Sequence, residues 1–163
     1  MTDNELKQYT IYPITRARLW EMYKLHQESN WTAEELDFTA DKVEFEALTK
    51  DEQYFIKMVL AFFAASDGIV AENLVARFSE EVDWPEARAF YAFQNYIEMV
   101  HSEVYSLLIM TYITDTIEQS KLLNAVNTYP CVRKKADWAL KWISSDQPFN
   151  QRLVAFAAVS FIS

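Results

Sequence analysis

The amino-acid sequence predicts an all-α fold, and three observations support this prediction. The chain has one glycine in 163 residues, against an average usage of about 7%, so it allows few turns that need positive φ. Apolar residues recur at helical spacing, and no segment has the two-residue period of a strand. Hydrophobic residues make up 51% of the sequence, which is enough for one core at this length. We therefore expect a single domain over residues 1–163.

The N-terminal part, residues 1–48, is predicted to contain an arm and the first helix. Apolar spacing places that helix at about residues 15–28. Thr32 and Glu35 have the spacing of a capping box, in which two side chains satisfy backbone N–H groups at the start of a helix.

The two longest helices are predicted to follow this N-terminal part. Thr49 and Glu52 form a second capping box at the start of the longest periodic segment, which ends near Glu80. Pro85 suits the first turn of the next helix because its φ is already helical. Glu86 is favourable at the same end because its charge opposes the helix dipole.

Three shorter helices complete the predicted bundle. Their apolar spacing places them at about residues 116–127, at 130–143 and from Asn150 onward. Together with the long helices they make residues 49–163 the main part of the bundle.

Charge and composition exclude several classes of protein. The formal net charge of −9 argues against a nucleic-acid partner, which would need clustered basic residues. The basic run at residues 133–135 is interpreted as a solvated helix face. The longest uninterrupted apolar run, residues 58–65, is too short to span a bilayer. A single cysteine, Cys131, cannot form an internal disulfide, which fits the cytoplasm. We therefore expect a soluble cytoplasmic protein.

Asp67 lies within an apolar stripe of the first long helix. Helical periodicity places six residues on one face: Ile56, Leu60, Phe63, Asp67, Val70 and Leu74. Burying an ionised carboxylate costs several kcal/mol unless a partner compensates it. A cation would be one such partner, and a hydrogen bond to a buried side chain is the alternative.

The second long helix has Glu98, His101 and Tyr105 on one face. Glu98 and His101 are one turn apart, so a carboxylate oxygen and an imidazole nitrogen can bind one iron or manganese ion. The spacing also occurs by chance in surface pairs, and Tyr105 can be a core residue. Trp31 can pack on Leu36 as a hydrophobic staple at its capping box.

Four segments resemble one known family. They are WTAEE at residues 31–35, LAFFAASDGIV at 60–70, EMVHSEVYSLLI at 98–109 and KADWALKW at 135–142. These motifs closely resemble the small, radical-generating subunit of class I ribonucleotide reductase, in its eukaryotic and viral branch. The resemblance extends from Tyr12 to Val159.

The resemblance implies a ferritin-like helical bundle with a di-iron centre, for which manganese is an alternative metal. Asp67, Glu98 and His101 match the ligands contributed by the first half of the family's site. Tyr105 matches the tyrosine that is oxidised to a stable radical, and Trp31 matches the tryptophan that relays an electron. In that family the radical passes to a large subunit, which reduces ribonucleoside diphosphates to deoxyribonucleotides.

The resemblance also implies that this sequence is the first half of a longer pattern. After Val159 the family continues with a metal-binding glutamate, where this chain has Ser160, and a second Glu-x-x-His helix does not follow. We therefore expect a truncated bundle that lacks half of the ligand set and works as a homodimer or with a complementing C-terminal half. The alternatives are a non-catalytic helical protein that pairs with intact subunits and a ferritin-like di-iron oxidase.

Overall fold

The computed structural model describes residues 8–74, 78 and 81–162, and within these ranges it contains helices and turns but no strand. This confirms the predicted all-α class. The elements in chain order are α1 (Ala17–Glu28), a 3-10 turn (Ala33–Glu35), α2 (Asp41–Ala47), α3 (Lys50–Asn73), α4 (Pro85–Tyr112), α5 (Thr116–Leu123), α6 (Ala125–Thr128), α7 (Pro130–Ile143) and α8 (Phe149–Ile162).

The two long helices begin as the sequence predicts. The Thr49 N–H donates to the Glu52 carboxylate at 2.8 Å, and the Glu52 N–H donates to the Thr49 hydroxyl at 3.3 Å. These bonds form a capping box that satisfies two N–H groups at the start of α3. Pro85 occupies the first turn of α4. The predicted end of the α3 segment near Glu80 lies outside the described residues.

Two predicted elements are shorter in the structure. The capping box at Thr32 opens a 3-10 turn of three residues, after which Leu36 is extended. The Thr39 N–H donates to the Asp37 carboxylate at 2.9 Å, and such local bonds compete with a helix. The segment predicted at residues 116–127 is divided at Asn124, whose φ of −108° and ψ of 42° interrupt the helix.

Helices α3 and α4 pack side by side and antiparallel, at the centre of the fold. Phe63 near the middle of α3 contacts Tyr105 of α4, whereas Phe78, beyond the end of α3, contacts Tyr91 near the start of α4. One apolar core lies at each end of this pair. The first core comprises Phe45, Leu60, Ala61, Ile109, Ile113, Leu122, Ala125 and Val132. The second comprises Val70, Leu74, Phe78 and Phe156.

Among the described helices, α3 is the one that is long and apolar enough to cross a membrane, judged by length and composition alone. A core helix of a soluble protein satisfies the same criteria. Here α3 packs against α4 and contains a buried carboxylate, Asp67, which fits a core helix because a charge in a bilayer is costly.

Candidate metal centre

Three side chains of ligand type converge between the cores. Asp67 comes from α3, whereas Glu98 and His101 come from one face of α4. Each offers a ligand atom, and these atoms lie within 4.8 Å of one another. The antiparallel packing of the two helices brings together residues that are 31 and 34 positions apart in the sequence. We refer to Asp67, Glu98 and His101 as the ligand cluster.

The Asp67 carboxylate is buried, and one of its oxygens has no hydrogen-bond partner. Asp67 is 2% exposed, and its Oδ2 atom is the enclosed oxygen without a partner. Burial and, to a smaller extent, the Glu98 charge raise the Asp67 pKa, and His101 opposes them, so that the resulting pKa is about 7. The predicted alternative, a core carboxylate satisfied by a buried side chain, is therefore disfavoured, because Oδ2 lacks the donor that such a role needs.

His101 contacts both the cluster and Trp31. Its Nδ1 atom is 3.8 Å from a Glu98 carboxylate oxygen, and this neighbouring carboxylate raises the imidazole pKa above its ordinary value, although burial opposes the change. The Trp31 indole stacks on the imidazole, with ring centroids 5.6 Å apart and planes inclined by 29°. Leu36, the predicted staple partner of Trp31, is 42% exposed.

Tyr105 lies one turn beyond His101, and its ring is half-buried. It stacks on Phe63 at a centroid distance of 5.3 Å, and its ring centroid is 6.5 Å from that of His101. Burial raises the Tyr105 pKa, and the Asp67 and Glu98 carboxylates raise it further. The phenol is therefore protonated at neutral pH and lies against an apolar ring.

The ligand cluster fits a metal ion. Two carboxylates and one imidazole are donors that suit iron and manganese, and a cation would compensate the unpartnered Asp67 oxygen. In ferritin-like dinuclear proteins, two helices each give one carboxylate and two others each give a Glu-x-x-His pair. The ligand cluster corresponds to half of that set, and within the described ranges it is the one group of this kind.

The structure also shows an important carboxylate whose environment the sequence does not predict. Glu86 is 0% exposed, and its Oε1 atom accepts from the backbone N–H of Thr15 at 2.5 Å and of Arg16 at 3.0 Å. From the sequence, Glu86 has only a helix-dipole role. No sequence pattern reveals this contact, because its partners lie 70 and 71 positions away.

The sequence matches a known family over most of its length. The family model described as "Ribonucleotide reductase, small chain" matches residues 8–163. A ribonucleoside-diphosphate reductase small subunit from Arabidopsis thaliana is 54% identical over 96% of this chain and 46% of its own length. The corresponding small subunit of Swinepox virus is 55% identical over 95% of this chain and 57% of its own length. The chain thus spans about half the length of these relatives.

Solved structures give the same fold. A ribonucleotide reductase subunit from Clostridium botulinum superposes with a TM-score of 0.76, covering 90% of this chain and 46% of its own. The sequence identity is 18%, so this likeness concerns the fold alone. The helices described above thus correspond to about half of a ferritin-like bundle.

Proposed function

The chain belongs to the ribonucleotide reductase small-chain family, and we propose that it contributes the first part of a radical-generating metal centre for deoxyribonucleotide synthesis. One observation carries the proposal: Asp67, Glu98 and His101 converge within 4.8 Å beside Tyr105. The family is an oxidoreductase family with a ferritin-like fold, which the helical structure matches. The match to this family also favours the reductase over a di-iron oxidase.

The ligand cluster would bind the metal through both carboxylates and the His101 imidazole. We propose iron as the metal, with manganese as the alternative, because both accept this mixture of donors. When bound and reduced, the metal centre supplies the oxidising chemistry through its reaction with dioxygen. In this proposal, residues beyond these 163 supply the remaining ligands, either within a longer chain or as a complementing C-terminal half.

Tyr105 is proposed as the residue that is oxidised to the radical. Its half-buried phenol is protonated at neutral pH, because burial and the two carboxylates raise its pKa. Oxidation therefore removes both an electron and a proton from this side chain. The stacked Phe63 ring excludes water from one face of the phenol, and such shielding would protect a radical from the solvent.

Trp31 is proposed as the electron relay to the ligand cluster. The indole stacks directly on the imidazole of His101, which is itself a proposed ligand, so no intervening residue is needed. The stacked rings would therefore allow an electron to pass through space between Trp31 and the metal site.

The proposed partner is the large subunit of a ribonucleoside-diphosphate reductase. Both relatives described above are named as small chains of that enzyme. Small subunits of this family work with a large subunit, and we propose the same for this chain, in the cytoplasm. We also propose that the bundle is completed either by a homodimer partner or by the complementing half.

A metal-loading experiment tests this function. The chain is mixed with a C-terminal segment of the Arabidopsis relative, loaded with ferrous iron under anaerobic conditions and then exposed to oxygen. Electron paramagnetic resonance should show a tyrosyl signal. Tyr105→Phe should abolish the signal and retain the iron, whereas His101→Ala should reduce iron binding itself.

Two outcomes would contradict this proposal. A normal tyrosyl signal from Tyr105→Phe would show that another tyrosine is oxidised. Failure of the complemented chain to bind iron or manganese would favour the non-catalytic alternative, in which the helices only pair with intact subunits.

A further inference from the structure

Helix α1 runs parallel to the first half of α4, and contacts occur at three levels along the pair. At the first level, Thr15 bonds to Glu86. At the second, the His26 ring contacts Phe90, with centroids 4.7 Å apart. At the third, just beyond the end of α1, Trp31 stacks on His101.

The first level is a directional anchor. The Oε1 atom of Glu86 accepts from the N–H groups of Thr15 and Arg16 and from the Thr15 hydroxyl, the last at 3.3 Å. The Arg16 guanidinium lies over the neighbouring Trp84 ring, 4.5 Å from its centroid. Hydrogen bonds from N–H groups to a carboxylate are short and charge-assisted, so they define where the start of α1 lies on α4.

The second level is less restrictive. His26 also contacts Phe93, with centroids 5.8 Å apart, and the His26 Nδ1 atom is buried without a hydrogen-bond partner. Packing between ring faces depends on area and offers several offset geometries of similar energy. These contacts therefore attach α1 to α4 but define its position along the helix axis poorly.

The third level depends on that axial position. Arg16 and Trp31 are 15 residues apart, and so are Glu86 and His101, which on α4 corresponds to about 22 Å at 1.5 Å per residue. Displacement of α1 by one turn, about 5.4 Å, would exceed the offset that a stacked indole and imidazole tolerate.

We infer that Glu86 is a positioning residue that fixes α1 in register on α4 and thereby holds Trp31 against His101. This gives the buried carboxylate a role at the far end of α1, although it does not contact the ligand cluster. The relevance of this role to electron transfer rests on the proposed function, whereas the positioning itself does not.

The test uses 5-fluorotryptophan labelling and fluorine nuclear magnetic resonance on the metal-free 163-residue chain. Trp31→Phe assigns the Trp31 resonance. Glu86→Asp keeps the charge but retracts the carboxylate by one methylene, so the Trp31 resonance should move toward its unfolded-chain position. Glu86→Gln keeps the side-chain length and an acceptor oxygen, so this resonance should stay near its wild-type position.

A matched control separates positioning from general destabilisation. The buried Gln53 side chain donates to the carbonyl oxygens of Phe45 and Leu48 at 3.0 and 3.1 Å, far in sequence from α1. Gln53→Ala should lower the midpoint of thermal unfolding and leave the Trp31 resonance in place.

Two results would overturn the inference: an unchanged Trp31 resonance in Glu86→Asp, or an equal movement in Gln53→Ala. Because the measurement needs no metal, a correctly placed indole in a protein that never forms a radical would count against the proposed function alone.

Discussion

The molecule buries two carboxylates, one at the ligand cluster and one at the first turn of α4. Asp67 and Glu86 are 2% and 0% exposed, and each has one enclosed oxygen without a hydrogen-bond partner. The other Glu86 oxygen accepts three hydrogen bonds, including two from backbone N–H groups. Asp67 instead faces a second carboxylate and an imidazole.

The pKa values of these carboxyls move in opposite directions. Burial, together with the Glu98 charge and against the effect of His101, raises the Asp67 pKa to about 7. Burial also acts to raise the Glu86 pKa, but the N–H groups of Thr15, Glu86 and Arg16 outweigh it, and the pKa falls below its ordinary value. Burial alone therefore does not identify a functional carboxylate. A buried carboxylate that accepts several hydrogen bonds from the protein through one oxygen, as Glu86 does, is structural. A buried carboxylate that faces other ligand-type side chains, as Asp67 does, fits a cation site.

The largest expected difference between the two carboxylates is in metal affinity. Asp67→Asn should weaken manganese binding by more than about 100-fold, because substituting even an outer residue of a metal site costs 10 to 100-fold. Glu86→Gln should leave the affinity unchanged. Calorimetric titration of each variant with manganese measures the difference, and equal losses in both variants would remove the distinction.

A second expected difference is the cost of removing Glu86. Glu86→Ala should lower the free energy of unfolding by about 2 kcal/mol at pH 7, because it removes the charge-assisted hydrogen bonds that the carboxylate accepts from the N–H groups of Thr15 and Arg16. Since the folded-state pKa of Glu86 is lowered, its stabilising contribution is present above about pH 4.5 and is lost as the pH falls through the folded-state pKa. Urea unfolding of Glu86→Ala and the wild type at pH 7 and pH 3 measures this contribution to stability. If the difference between the two proteins were as large at pH 3 as at pH 7, the predicted loss at low pH would be wrong.

In the metal-free chain, the contribution of Asp67 to stability should change with pH in the opposite direction to that of Glu86. Its folded-state pKa is raised, so its contribution to stability is fully present below the unfolded value and is lost as the pH rises through about 7. The shift corresponds to at most about 4 kcal/mol, which solvent screening and the new amide reduce. Asp67→Asn should therefore stabilise the metal-free protein by about 1–2 kcal/mol at pH 8.5 and by little at pH 4.

Urea unfolding at the two pH values tests this prediction, with metal removed by a chelator. Glu86→Gln serves as the control, because it removes the other buried charge from a site with its own donors. An Asp67→Asn variant that was less stable than the wild type at pH 8.5 would show that the folded protein already compensates the carboxylate.

The sequence predicted one of these two environments and missed the other for a physical reason. Asp67 was recognisable because helical periodicity is local, so the apolar neighbours of α3 reveal that the carboxylate is buried. The sequence around Glu86 indicated only the start of a helix, because the N–H groups that donate to its carboxylate belong to a segment about 70 positions away. The environment of Trp31 was predictable only in part. The capping box at the neighbouring Thr32 is local and was predicted, whereas the stack on His101 depends on how α1 packs on α4.

The smallest expected effect tests which donors satisfy Glu86. Thr15→Val removes only the hydroxyl that lies 3.3 Å from the carboxylate and retains the backbone N–H at 2.5 Å. The longer bond contributes little, so the free energy of unfolding should fall by less than about 1 kcal/mol, and the Trp31 resonance should not move. A loss as large as that of Glu86→Ala would mean that the side-chain hydroxyl, and not the start of the α1 backbone, is what the carboxylate holds. The register of α1 would then depend on a rotatable group, and the inferred positioning role of Glu86 would lose its directional basis.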